Sequence, residues 1–334
     1  MLANDRSVAL KYTKTPYLIC SSTQPKEDIY FVPDSALPAL SVGNCDPMSL
    51  VTPTELFQLK KRYRAPESLL KKIRKCYQDN EDEFDIGTDI SLEKSLFIKE
   101  IEDLILARIK QEYRNEAASF LPHYPREEMG VRTYHTQVVG SSSVGKSWTV
   151  SKILERSFKQ AVIYVFSPTA NKDKAWKDLR ASLGKRVKLI NSNEVDCDIP
   201  LSEIMPGSAL VVDDIDSTKE PAKTFITRLQ SRCLFEGRHH TDSEGIGMCV
   251  FSIVHDAFAI GNAGLKSANI ESSRVICFPG LNRSICTKYW QKRLHWTSKE
   301  IKSALQFIKK NDRWACVFTH VPNCIVTAHG VKLL

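Results

Sequence analysis

Eight consecutive residues have the composition of a phosphate-binding loop. They fit the pattern G-x-x-x-x-G-K-[ST] and are Gly140, Ser141, Ser142, Ser143, Val144, Gly145, Lys146 and Ser147. The glycines of such a loop let the backbone wrap closely around phosphate oxygens, and the N-terminus of the following helix adds N–H donors. Lys146 is expected to reach the β- and γ-phosphates, and Ser147 is expected to hold Mg²⁺. The segment therefore predicts a site for a nucleoside triphosphate.

A second candidate site lies further along the chain, where the apolar run 208–212 ends in two acids, Asp213 and Asp214. A phosphoryl-transfer site needs a carboxylate for Mg²⁺ and a group that orients the attacking water. We assign the first role to Asp213 and the second to Asp214, which would position or deprotonate the nucleophile. Taken alone, the run also fits a strand that passes into an acidic turn. Its place after a phosphate-binding loop favours the functional interpretation, with ATP and Mg²⁺ as the cofactors.

Three further residues are candidates for contact with the γ-phosphate. His255 ends an apolar run, Arg238 lies in the segment Glu-Gly-Arg-His-His, and Arg274 opens another apolar run. A polar group at a strand end and an arginine, commonly from the next subunit of a ring, distinguish hydrolytic motors from nucleotide kinases. Structural explanations are equally open: His255 caps a turn, Arg238 pairs with a nearby acid, and Arg274 covers the sheet edge with its stem.

The elements that would position these residues alternate along the chain from residue 131 onward. Short β-branched runs predict buried strands, and the segments between them have helical periodicity. The predicted strands are 134–139, 161–166, 187–190, 208–212, 248–254 and 274–278, and the predicted helices are 146–159, 172–183 and 221–234. This alternation implies an α/β fold with a mainly parallel sheet flanked by helices.

The N-terminal part of the chain has a different texture. Residues 1–55 are rich in Pro, Ser, Thr and Asp, which predicts a loop-dominated segment. A basic helix is expected over 56–77 with a break near Pro66, and a longer helical pattern starts at Ser91 and should stop before Pro122. We expect three regions: a loop-rich and helical N-terminal region at 1–130, an ATPase core at 131–284 and a basic C-terminal extension at 285–334.

The net charge of +8 is concentrated in two blocks. Residues 60–75 carry eight lysines and arginines against one acid, and residues 283–313 carry nine against two. Each block fits either a solvated face or a surface for a polyanion such as nucleic acid. Tyr289, Trp290 and Trp296 are interleaved with the second block, where they fit packing or contacts with bases.

Two features of the composition predict where the protein is found. The ten cysteines contain no Cys-x-x-Cys pair, which predicts reduced and mostly buried thiols. No run is long and apolar enough for a membrane helix, and the N-terminus lacks the layout of a secretion signal. We expect an intracellular protein that is not secreted.

In their order along the chain, the motifs resemble those of the FtsK/HerA superfamily of DNA-pumping ATPases. More narrowly, they resemble the genome-packaging ATPases of poxvirus-type and related double-stranded DNA viruses. The resemblance covers residues 134–280, and its most specific link is Gly-Arg-His-His at 237–240. In this family the loop at 140–147 is the Walker A motif. The resemblance implies catalytic roles for Lys146, Asp214, Arg238, Arg274 and His255.

The same resemblance implies a fold, an activity and partners. The fold would be a RecA-like P-loop NTPase core, and the activity a Mg²⁺-dependent ATP hydrolysis that moves double-stranded DNA. The implied assembly is a homo-oligomeric ring, a pentamer or hexamer, that packages a viral genome into a preformed capsid through a capsid or portal-vertex protein. The protein would then be found in a virus factory or a virion.

The sequence departs from the family pattern at three points. The sensor residue is usually Gln, and His255 stands in its place, although imidazole can still donate a hydrogen bond. The segment 241–245 lengthens the link to the sensor strand, and Asp214 stands where many relatives carry Glu.

Other functions remain open. A P-loop phosphotransferase that acts on a small molecule would need an arginine-rich lid, and no such lid is evident. A helicase or conjugation-type DNA pump of the same superfamily would use the same residues. A scaffold that does not hydrolyse ATP is disfavoured by the intact Lys146, Ser147, Asp213 and Asp214.

Overall fold

The chain divides into two compact units, 1–16 with 29–113 and 17–28 with 114–334. The computed structural model describes residues 2–3, 17–22, 28–31, 51, 53–71, 95–101, 104, 112–114, 119–122, 133–255, 263–308, 312–319 and 323–334. The predicted boundaries at residues 130 and 284 stay predictions.

The described part of the first unit is mainly helical. Helix α1 (Pro53–Tyr63) ends at Arg64, which has φ 48°, and residues 67–71 are helical again. The predicted break near Pro66 is therefore confirmed. Its physical reason is that proline cannot continue the preceding helix. Residues 95–101 are also helical, whereas the predicted helical positions 72–77, 91–94, 102–103, 105–111 and 115–118 lie outside the described residues.

Short strands occur where the sequence predicted loops, and two of them lie in the stretch that the sequence predicted as a helix from Ser91 to before Pro122. They are β1 (Leu2–Ala3), β2 (Tyr17–Ser22), β3 (Asp28–Phe31), β4 (Glu112–Arg114) and β5 (Phe120–Pro122). β1 pairs with β3, and β2 pairs with β5, both antiparallel. The expectation of a loop-dominated segment at 1–55 is therefore wrong for β1, β2 and β3, and the expectation of a helix from Ser91 to before Pro122 is wrong for β4 and β5. Their runs are short, and the partner of β2 is about 100 residues away, so no local hairpin signal exists.

The second unit is built around one large sheet. Its further strands are β6 (Thr136–Val139), β7 (Ile163–Ser167), β8 (Val187–Asn191), β9 (Ala209–Asp213), β10 (Cys249–Val254), β11 (Arg274–Cys277), β12 (Ala315–Phe318), β13 (Cys324–Thr327) and β14 (Gly330–Leu333). Its helices are α2 (Lys146–Ser157), α3 (Lys174–Leu183), α4 (Ala222–Glu236), α5 (Ala263–Glu271), α6 (Arg283–Arg293) and α7 (Ser298–Phe307).

The strand order confirms the predicted fold class. In the described part of this unit, nine strands follow the order β14-β13-β12-β11-β6-β10-β9-β7-β8, and the six from β11 to β8 are parallel. β6, β9, β10 and β11 are buried along their whole length, as expected for parallel strands covered on both faces. The molecule thus has the α/β architecture of a P-loop NTPase.

Two layers of helices cover the parallel strands. On one face, Ile226, Leu229 and Cys233 of α4 pack with Val212 of β9 and Val250 of β10. On the other face lie α2 and α3, which pack against each other. There the ring of Phe158, just after α2, meets Phe251 of β10 edge-on at 5.8 Å. Because successive side chains of a strand alternate between faces, each apolar run supplies side chains to the apolar layers on both faces of the sheet.

The C-terminal residues add three strands to the sheet. β12, β13 and β14 are antiparallel, and β12 pairs with β11, the last of the parallel strands. No strand was predicted beyond residue 278, because these runs have only four residues each and follow a basic segment. Helices α6 and α7 cover this part of the sheet with Tyr289, Trp290 and Phe307.

Two compositional predictions can be compared with the described residues. The eight cysteines within them are free thiols, and all except Cys197 are buried, as expected. Within the same residues, no helix combines the length and the apolar character needed to cross a membrane.

Candidate nucleotide-binding site

The phosphate-binding loop connects β6 to α2, as the motif requires. Gly145 has φ 100° and Ser143 has φ 63°, so the loop twice enters the left-handed region, which favours glycine. At Gly140, a Cβ atom would lie 3.0 Å from Cγ2 of Val144 and 3.1 Å from a ring carbon of Phe278. Glycine therefore lets the start of the loop pack directly against its neighbours.

Lys146 folds back over the loop. Its Nζ donates to the carbonyl oxygens of Gly140 (2.7 Å) and Ser141 (2.8 Å) and lies 3.3 Å from Nδ1 of His255. Burial lowers the pKa of this lysine, and the carboxylates of Asp213 and Asp214 oppose that shift. The ammonium group thus already stands inside the loop, where phosphate oxygens can replace the carbonyls as its acceptors.

Asp213 meets the loop at the end of β9. Its Oδ2 accepts hydrogen bonds from Ser147 Oγ (3.2 Å) and from the indole Nε1 of Trp176 (3.0 Å). Burial raises the pKa of Asp213 to about 6, although the two hydrogen bonds act in the opposite direction. The sequence predicted the approach of Ser147 and Asp213, and the structure brings them together.

Asp214 and His255 lie beside this pair. Asp214 adopts φ 53°, and its Oδ1 is 3.4 Å from Nε2 of His255. The strand order explains the meeting, because β10 runs between β6 and β9, and the carboxyl ends of parallel strands share one edge. His255 therefore bridges Asp214 and Lys146 through its two ring nitrogens.

These side chains line one end of a cavity of about 580 Å³. The other lining residues include Trp148 and, from α3 and the turn before it, Thr169, Asp173, Lys174, Ala175 and Asp178. The volume falls within the range of small-molecule sites. Sequence reasoning missed the α3 residues and Trp176, since only the packing of α3 against α2 brings them near the loop.

The residues present fit a magnesium–nucleotide complex. Ser147 and Asp213 offer a hydroxyl and a carboxylate oxygen, the hard ligands that Mg²⁺ accepts beside phosphate oxygens and water. Within the residues that the structure describes, no group of three or more His, Cys, Asp or Glu side chains is arranged to hold a metal ion alone. A Mg²⁺ site here would therefore depend on the nucleotide for further ligands.

Arg238 is not brought to this site. It follows the end of α4, and the backbone N–H of Met248 donates to the carbonyl of Gly237 at the start of β10. That contact places Arg238 at the amino edge of the sheet, opposite the phosphate-binding loop. The side chain is exposed, and its Nε donates to Nε2 of His239 at 3.0 Å.

Arg274 also lies at the amino edge. It is the first residue of β11 and pairs with Thr136, whereas Cys277 pairs with Val139 just before the loop. Three residues of strand separate the two edges by about 10 Å. The guanidinium is buried between the rings of Tyr134 and Phe318, at 4.2 Å from each centroid. This location favours the interpretation that Arg274 covers the sheet edge with its stem. It does not favour contact with the nucleotide of the same subunit.

The loop also contacts the residue that directly precedes the basic C-terminal block. Asn282, which directly precedes α6, donates from Nδ2 to Ser141 Oγ. Arg283, Lys288 and Lys292 of α6 are exposed. The start of a basic helix thus touches the phosphate-binding loop.

Comparison with known proteins gave one kind of match. No protein-family model matches the chain, and no curated protein sequence matches it. Among solved structures, matches include the genome packaging NTPase B204 from Sulfolobus turreted icosahedral virus 2. The chain is similar to a viral packaging NTPase.

Two of the matching structures are complexes with AMPPCP and with ATP-gammaS. The first is 12% identical, covers 59% of this chain and 97% of that chain, and has a TM-score of 0.32. The second is 11% identical, covers 58% and 96%, and has a TM-score of 0.31. The α/β fold is shown by the strand order of the large sheet.

Proposed function

We propose that the protein binds ATP at Gly140–Ser147 and hydrolyses it with Mg²⁺. The observation that carries the proposal is the 3.2 Å contact between Ser147 and Asp213, beside a lysine that already points into the loop. Phosphoryl transfer depends mainly on positioning and charge, and these residues supply both. When bound, Mg²⁺ would neutralise phosphate charge and would be held by Ser147 and Asp213.

In this proposal each neighbouring side chain has one task. Lys146 exchanges its carbonyl acceptors for β- and γ-phosphate oxygens. Asp214 orients the attacking water or accepts its proton. His255 contacts Asp214 on one side and Lys146 on the other. In this position it would act as the sensor residue that contacts the γ-phosphate.

We further propose that hydrolysis moves double-stranded DNA. The C-terminal basic block offers exposed cations at Arg283, Lys288, Lys292, Lys299 and Lys302. Such a surface binds phosphates without reading sequence, which suits transport of any duplex. In the first block, Lys60 pairs with Glu67 and Arg62 with Glu100, so part of its charge is already neutralised. We propose the C-terminal block, with these five exposed cations, as the DNA-binding surface.

The assembly and biological role complete the proposal. A homo-oligomeric ring of five or six subunits would place an arginine of one subunit at the nucleotide of the next, since Arg238 and Arg274 lie away from their own loop. The role we propose is packaging of a viral genome into a preformed capsid, with a capsid or portal-vertex protein as partner. A helicase of the same superfamily would instead unwind a forked duplex.

Substitutions in the loop test the catalytic part. We expect Lys146→Ala and Asp213→Ala to abolish Mg²⁺-dependent ATP hydrolysis, because each removes a charge that contacts phosphate or metal. The matched control is Lys152→Ala, on the same helix α2, where the lysine pairs with Glu155 at 2.7 Å. Release of inorganic phosphate is the measurement. Unchanged hydrolysis in Lys146→Ala would contradict the assignment of the site.

A further inference from the structure

An exposed tryptophan stands at the mouth of the nucleotide cavity. Trp148 is the second residue after Lys146 in α2, it lines the cavity, and 52% of its surface is exposed. Apart from the imidazole of His255, its ring is the one aromatic side chain among the described residues that line this cavity. Its carbonyl accepts a hydrogen bond from Ser151 Oγ at 2.8 Å, which ties its backbone into the first turns of α2.

The cavity changes in burial along its length. At the phosphate end, Lys146 and Asp213 are only 8% and 6% exposed. Along α3 the wall is formed by Lys174 and Asp178, an exposed ion pair of 2.8 Å one helical turn apart. The triphosphate requires the buried end, where the cation and the carboxylate are. The rest of a nucleotide must then extend toward the open end.

The chemistry of the open end suits a flat heteroaromatic ring. An indole offers a π-face for stacking, and a base stacked on an aromatic side chain is stabilised whatever its sequence identity. Carboxylates of Asp173 and Asp178 line the same wall and can accept hydrogen bonds from the edge of a base. Asp173 Oδ1 already accepts the N–H of Ala175, so its carboxylate is held in place as the cap of α3.

We propose that Trp148 is the nucleobase platform of this site, on which the base of the nucleoside triphosphate stacks. The inference rests on the proposed binding of a nucleotide at the phosphate-binding loop. It adds that recognition is not confined to phosphate, since part of the affinity comes from one indole ring.

Two ligands that differ by the nucleoside separate the contribution of the base to the binding affinity from that of the triphosphate. Isothermal titration calorimetry with Mg²⁺ compares ATP with inorganic tripolyphosphate, using wild type, Trp148→Ala and Trp148→Phe. Trp148→Ala should weaken ATP binding about 5- to 150-fold, as expected for the loss of one stacked base. It should leave the affinity for tripolyphosphate unchanged, and Trp148→Phe should recover most of the affinity for ATP.

Two control variants complete the experiment. Phe235→Ala removes an aromatic side chain that is 47% exposed on α4, and it should change neither affinity. Lys146→Ala should weaken both ligands. If Trp148→Ala weakens both ligands equally, the tryptophan supports the loop and the platform is disproved; unchanged ATP affinity disproves it as well. If wild type binds neither ligand, the proposed function fails together with the platform.

Discussion

Asp213 is the residue on which the candidate site depends most, and its carboxyl group is held by two donors. Trp176 is fully buried in α3, and its indole N–H reaches the same oxygen, Oδ2, as the hydroxyl of Ser147. Two donors on one oxygen fix the rotation of the carboxyl group. Contacts of this kind to a metal-ligating side chain commonly tune the affinity of a metal site. We interpret Trp176 as a positioning residue for Asp213.

The substitution Trp176→Phe tests this role, because it removes the indole N–H and keeps an aromatic ring. We expect the gain in ATP affinity on adding Mg²⁺ to fall about 10- to 100-fold, as is typical when an outer contact of a metal ligand is lost. ATP affinity in the presence of a chelator should stay unchanged, since Trp176 does not contact phosphate-binding groups. Titration with and without Mg²⁺ measures both quantities.

A second tryptophan provides the matched control. Trp290 is equally buried in α6, where it packs in the core with Cys277 and Phe307, away from Asp213. Trp290→Phe therefore makes the same change in the core without touching Asp213. If Trp176→Phe and Trp290→Phe lower the affinity alike with and without Mg²⁺, the effect is general destabilisation and the positioning role is wrong.

At this scale the sequence predicted the residues whose roles follow from local spacing. Lys146, Ser147, Asp213 and Asp214 lie in or next to a recognisable motif, and the structure brings them together. Trp176 had no such signal, because its contact with Asp213 spans 37 residues and depends on the packing of α3.

At the scale of elements, the site results from the strand order. β10 separates β6 from β9, so the phosphate-binding loop, the acidic pair and His255 reach one edge from three neighbouring strands. The sequence predicted these strands because buried parallel strands have continuous apolar runs. It did not reveal β12–β14, because short strands next to a basic segment resemble an extension. The order of strands also depends on contacts between segments far apart, which no local pattern encodes.

The element that joins the site to the basic surface is α6. Asn282 contacts the phosphate-binding loop from just before this helix, while Tyr289 and Trp290 anchor the helix in the core. The cations and aromatic residues that alternate in the sequence therefore lie on two different faces of α6. The aromatic side chains pack inward, and Lys288 and Lys292 lie on the exposed face.

At the scale of the whole molecule, the two arginines differ in what they can reach. Arg238 is exposed at the amino edge of the sheet, so it is available to a neighbouring subunit, whereas Arg274 is enclosed by two rings. We expect mixtures of inactive Arg238→Ala and Lys146→Ala proteins to regain ATP hydrolysis, because one combined interface has both residues intact. The two proteins are mixed before the assay, and the release of inorganic phosphate by the mixture is compared with that of each protein alone.

Arg274→Ala serves as the contrast in the same experiment. Loss of its cation–π contacts should lower the free energy of unfolding by about 2 kcal/mol. Mixing with Lys146→Ala protein should then restore nothing beyond the activity of Arg274→Ala alone. Recovery with Arg274→Ala and none with Arg238→Ala would reverse the assignment, and recovery with neither would contradict an arginine acting across a ring interface.

The central claim is that ATP hydrolysis at the phosphate-binding loop is coupled to duplex DNA. The most direct measurement is the steady-state rate of Mg²⁺-dependent ATP hydrolysis with and without long duplex DNA, with Lys146→Ala as the blank. We expect duplex DNA to raise the rate of the wild type and to leave the Lys146→Ala blank at background. Hydrolysis that is indifferent to DNA would contradict the motor and favour a small-molecule phosphotransferase.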